Sequence, residues 1–107
     1  MITELDDSIK LPWGTAVQVK KLDNAYMYRV SGPDFPHVYE VFERRSVAVC
    51  IDFENRIYSQ TDKKEIYPKS NDFGKWAYSY NSYDAAIFGL NNLNDMKQNA
   101  NTRTKRL

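Results

Sequence analysis

The segment that most constrains the fold is Lys75-Trp76-Ala77-Tyr78-Ser79-Tyr80, followed at once by Asn81-Ser82-Tyr83-Asp84. Successive side chains on a strand point to opposite faces, so Trp76, Tyr78 and Tyr80 would share one face and Lys75, Ala77 and Ser79 the other. Asn81 is a helix N-cap residue type, and Asp84 three positions on favours the positive end of a helix dipole. Tyr83, Ala86, Ile87, Leu90 and Leu93 then recur at helical spacing and make one apolar stripe. The pattern predicts a strand feeding an amphipathic helix that folds back on it. Gly89 lies beside the stripe, where a glycine costs up to about 1 kcal/mol relative to alanine. Its use there would be close approach to a bulky ring on the sheet.

The rest of the chain alternates in the same way. Val17 and Val19 mark a strand at 15–20, and Tyr26, Tyr28 and Val30 mark another at 25–30. The polar pair Asp23-Asn24 between them predicts a hairpin. Ser31-Gly32-Pro33-Asp34 reads as an irregular loop that Pro36 prolongs. Val38–Phe42 and Val47–Phe53 are rich in β-branched and aromatic residues and read as a hairpin turning near Arg45-Ser46. Residues 45–67 read as an antiparallel meander with turns at Glu54-Asn55-Arg56 and Asp62-Lys63. Asn55 is there the residue suited to a left-handed backbone, and Tyr58 falls opposite Tyr67. Thr3 and Asp6 stand at capping-box spacing, with Leu5 and Ile9 on one side, and suggest a helical turn over 3–11. Past Leu93 the chain is poor in helix formers, so the helix should fray between Leu93 and Asn99. Residues 101–107 read as a disordered basic tail.

The fold class expected is α+β: an antiparallel β-meander of five to seven short strands, with one main C-terminal helix on one face. Residues 1–100 form a single domain. A chain of 107 residues can bury one core, and its 15 aromatic side chains make that core substantial. No apolar run reaches bilayer-spanning length. The N-terminus is acidic where a signal peptide would be basic, which points to the cytoplasm. One cysteine, Cys50, permits no intrachain disulfide and no thiolate zinc site, and it fits a reducing compartment. No cofactor or metal is expected, because no Walker loop, glycine-rich cradle or His/Cys ligand spacing occurs.

Charge is partitioned. Residues 1–96 hold 11 of the 15 basic side chains and all 14 acidic ones, while Lys97, Arg103, Lys105 and Arg106 make a cationic end. A body that binds nucleic acid broadly shows a basic excess, and this body does not. A Cys50–His37 dyad requires hydrogen-bond reach. A tight 37–53 hairpin would hold the pair roughly 13 Å apart at the usual strand rise. No carboxylate pair stands in a recognisable acid–base motif, so the chain reads as non-enzymatic. The basic pairs Lys20-Lys21, Arg44-Arg45 and Lys63-Lys64 fall at predicted strand ends and turns. They suit either phosphate contacts or protection of those ends from aggregation. The aromatic strand 75–80 is either helix-covered core or a stacking platform for bases.

A compact, aromatic-rich β-meander plus helix with no catalytic kit resembles, in size and style, the small anti-defence proteins of phages and mobile elements, anti-CRISPR proteins among them. That resemblance implies a protein-binding inhibitor or adaptor, with another protein as partner, such as a nucleic-acid-bound effector nuclease. The alternative expectation is an RNA- or single-strand-binding module. Candidate contact residues for the two are Arg44, Arg45, Tyr58, Lys63, Lys64, Tyr67, Arg103, Lys105 and Arg106. Tyrosine and arginine are the types enriched at interface hot spots.

Overall fold

The computed structural model describes residues 1–106, with side chains at 1–34 and 36–96. The fold is α+β, with eight strands in two sheets and one C-terminal helix. The strands are β1 (Ile2–Thr3), β2 (Ser8–Leu11), β3 (Gly14–Lys21), β4 (Ala25–Gly32), β5 (Phe35–Glu43), β6 (Ser46–Asp52), β7 (Ile57–Glu65) and β8 (Ala77–Tyr80). The helix, α1, spans Tyr83–Arg106. A five-stranded sheet runs in the order β2-β3-β4-β5-β8 and a three-stranded sheet in the order β1-β7-β6. The strands number eight against the five to seven expected of the meander, and they divide into two sheets because β5 and β6 do not pair.

The β3–β4 hairpin forms where it is predicted, but Val17 and Val19 are left exposed: Ala16 is the buried residue of β3, and the register shifts between Gln18 and Lys20. Tyr26, Tyr28 and Val30 are buried together with Phe42 and Ala16 on one face of the larger sheet. The next residues in the pleat, Ala25, Met27 and Val41, face the other way and meet Ala86 and Leu90 of α1. Burying both faces of a central strand is what its unbroken apolar run requires. The break after β4 is tighter than expected. β4 continues to Gly32 and β5 begins at Phe35, so Pro36 lies within a strand. It is tolerated because β8 covers β5 only from Tyr39 to Phe42, leaving an open edge at Pro36.

Several expectations are corrected. Residues 3–11 form strand pairs, not a helical turn, because β1 lies parallel on β7 and β2 antiparallel on β3. The 38–53 hairpin is absent: β5 sits between β4 and β8, and β6 pairs with β7. The 45–67 meander has two strands instead of three. At Asp62-Lys63 there is a bulge where a turn is predicted. The Ser59 hydroxyl accepts the N–H groups of Thr61 and Asp62 at 3.2 and 2.8 Å, which bends β7 without reversing it. Tyr58 accordingly lies opposite Cys50, not Tyr67. At the hairpin end Asn55 spends its amide on Asp52 at 2.7 Å, and the left-handed residue is Arg56, with φ 54.

Trp76 also departs from the simple pleat. Gly74 takes φ 92 and donates its N–H to Ala77 O at 2.7 Å, so regular alternation begins only at Ala77. Trp76 is buried with Phe42 on the face away from the helix. Tyr80 packs with the helix as expected, and Tyr78 is 36% exposed. Gly89 does make the predicted close approach. A Cβ there would stand 2.6 Å from Tyr80 Cζ. The helical backbone extends past Leu93–Asn99 to Arg106, across the 100/101 boundary read from sequence. Extending a nucleated helix costs little per residue. Leu107 lies outside the described residues. Among the described residues no helix is long and apolar enough to cross a membrane.

Candidate interaction surfaces

The β6–β7 hairpin carries the most exposed large apolar side chains with a defined local cause. Asp52 accepts the N–H groups of Glu54 and Asn55 at 3.1 and 3.3 Å and the Asn55 amide at 2.7 Å, which closes the turn on itself. These bonds, that of the Asn55 side chain foremost, hold the Asp52 carboxyl below its usual pKa. With the backbone turned in this way, Phe53 stands in the turn, 84% exposed. Ile51 is the extra residue of a bulge between Cys50 and Asp52 and is 67% exposed. Ile57 and Tyr58 on the returning strand are each about half exposed. Four large apolar side chains thus stand at one hairpin end, with Ile57 and Tyr58, neighbours on β7, on opposite sides of the ribbon. Single exposed apolar residues are ordinary, but a cluster marks an interaction surface.

A second apolar feature lies between β8 and α1. It is a groove of about 280 Å³, lined by Tyr78, Phe88, Gly89, Asn92 and Met96 among others. Phe88 projects from the helix beside the buried stripe and is 69% exposed.

The residues singled out from sequence do not gather at one place. Arg44 turns inward. Its guanidinium is bonded to Glu65 and to Glu4, each at 2.7 Å, donates to Leu22 O at 3.1 Å, and lies 5.0 Å from the Tyr26 ring centre. Burial works against the Arg44 charge, but the Glu65 and Glu4 bonds outweigh it and its pKa is raised. Glu4 is held below its ordinary pKa by Lys21, and then by Arg44. Glu65 is almost wholly buried and also accepts the Tyr26 hydroxyl and Leu5 N–H. Burial first, and Glu65 second, push the Tyr26 pKa up. This network ties the start of the chain, both sheets and the β5–β6 crossing together.

Tyr67 is likewise internal. Its ring meets those of Tyr28 and Phe42 at 5.4 and 4.9 Å, and its hydroxyl donates to Glu40. Burial and then Glu40 raise the Tyr67 pKa. Burial raises that of Glu40, partly offset by the Tyr67 bond. Arg45 is half exposed, bonded to Glu43 at 2.8 Å and stacked 4.8 Å over Trp76. Tyr58, Lys63 and Lys64 are exposed on β7. The two lysines face Ala48 and Val47 across the ladder, hence opposite sides of the ribbon. Arg103 and Lys105, with Arg106, end the α1 backbone, and their side chains lie outside those described. Cys50 and His37, weighed as a dyad, stand on strands of different sheets. Cys50 is exposed beside Tyr58, and the His37 ring meets Tyr39 edge-on at 5.5 Å.

The surfaces that sequence reasoning missed had signals. Phe53 adjoins a run of turn residues, and Phe88 falls off the helix stripe, so each is a bulky apolar group where burial is not provided for. No protein-family model matches the chain, and no curated protein or solved structure matches it either.

Proposed function

We propose that this chain is a protein-binding module, an inhibitor or adaptor that works by surface complementarity without turnover. The observation that carries the reading is the β6–β7 hairpin end, where Ile51, Phe53, Ile57 and Tyr58 are held exposed by an ordered turn. Large aromatic and aliphatic anchors on a preorganised element lose little entropy on docking. The buried carboxylates Glu65 and Glu40 are each committed to a part-buried partner, Arg44 and Tyr67 respectively, and belong to the fold. The resemblance in size and style to phage anti-defence proteins makes a nucleic-acid-bound effector nuclease, CRISPR effectors included, the first partner to try. The exposed free thiol of Cys50 suits a reducing compartment such as the cytoplasm.

The test is capture of partners from host extract with the full chain as bait, with and without nuclease. A partner retained after nuclease supports the reading. Capture that vanishes with the nucleic acid contradicts it.

A further inference from the structure

The larger sheet has one face buried in the aromatic core and the other only half covered. Helix α1 packs on β4, β5 and β8, which leaves the β2–β3 end of that face open. The pairing registers say what stands there. One rung across the sheet runs Ser8, Val17, Arg29, Tyr39 and Tyr80. The rung on one side of it holds Lys10, Thr15 and Ser31, and the rung on the other holds Lys20, Met27 and Val41. None of these positions is acidic. Lys10, Lys20 and Arg29 are exposed, and among the described residues none of them is in an ion pair. Rungs on one face are about 7 Å apart and strands about 4.8 Å, so the three cations fall within roughly 15 Å of one another.

Beside them stand three rings. His37 and Tyr83 each meet Tyr39 edge-on, with centres 5.5 and 5.8 Å apart. His37 and Tyr83 are both exposed. This face therefore offers cations and stackable rings side by side. A chain with a charged backbone and planar bases uses both. We infer that the open half of this sheet face binds single-stranded nucleic acid, with phosphates on Lys10, Lys20 and Arg29 and bases on His37 and Tyr83. This surface shares no residue with the hairpin end and goes beyond the protein-binding reading.

The experiment is an anisotropy titration of the full chain against a fluorescein-labelled single-stranded RNA of about a dozen nucleotides, at about 50 and 200 mM salt. Three phosphate contacts predict a slope of log K on log salt near −2, at about −0.7 per contact. Arg29→Ala should flatten that slope by about 0.7. Tyr83→Ala should weaken binding about tenfold and leave the slope alone, and His37→Ala, which leaves the helix untouched, should act in the same direction. All are exposed positions, so thermal midpoints should hold. The inference is overturned by absence of binding at the lower salt, or by full affinity in Lys10→Ala/Arg29→Ala, which would put the contact elsewhere. It is equally overturned by duplex binding as tightly as single strand, or by indifference to both ring substitutions, which would leave a merely anionic partner.

Discussion

At the scale of single residues, the chain places its two buried carboxylates differently. Glu65 meets a guanidinium, whereas Glu40 has only a tyrosine hydroxyl. A carboxyl whose folded pKa is raised binds its proton more readily in the native state than in the unfolded one. Its contribution is therefore fully present below the ordinary pKa of about 4.3 and is lost as pH rises through the raised value. Glu40→Gln keeps an acceptor for Tyr67 and removes the charging penalty. Urea denaturation should find the variant more stable than the parent at pH 7, with the advantage gone near pH 4. Equal stability at both pH values would mean that burial does not govern Glu40. Neither pairing was legible beforehand. Glu40 alternates with Val38 and Phe42 on the core face of β5, but a lone glutamate among apolar residues says nothing of which hydroxyl will reach it.

At the scale of elements, local pattern was a good guide where one strand or helix settles its own neighbours. The β4 alternation of Tyr26, Tyr28 and Val30 and the α1 stripe of Ala86, Ile87, Leu90 and Leu93 are as their periodicity requires, although the first member of the stripe, Tyr83, and the β3 valines Val17 and Val19 stay exposed. The Gly89 contact is also as expected, because a costly mid-helix glycine implied a ring above it. Gly89→Ala should gain about 1 kcal/mol of helix propensity and lose about 1–3 kcal/mol to overpacking against Tyr80, a net loss. The same substitution in a Tyr80→Leu background should be neutral or stabilising by denaturation midpoint. A stabilised single variant would show that the ring yields freely. Pattern misled where a side chain imitated a turn. Asp62-Lys63 looks like a polar reversal at the end of a strand, and only the tertiary pairing of β1 along β7 shows that the bulged backbone does not reverse. Trp76 was misplaced for a related reason: alternation was read through Gly74's turn into residues that do not yet belong to the pleat.

At the scale of the whole molecule, the two sheets are joined at Arg44, where the chain leaves β5 for β6. Sequence alone offered Arg44 as a contact residue because it sits in a basic pair near a strand end. Its carboxylate partners lie 40 positions upstream and 21 downstream, separations that no local pattern reports. Arg44→Ala should leave Glu65 without its ion-pair partner in the interior and cost roughly 3 kcal/mol, at the low end for a broken buried pair because Arg44 keeps some solvent access. A denaturation midpoint unchanged by that substitution would remove the network from the fold's support. The hairpin end stands apart from this framework, so changes there should spare stability. The most direct test of that division of labour titrates the nuclease-resistant partner with the parent chain and with Ile51→Ser/Phe53→Ser, alongside urea denaturation of both. The account predicts an unchanged midpoint and at least about 2 kcal/mol of lost affinity, the scale of an interface hot spot. Full affinity in the double variant would contradict it.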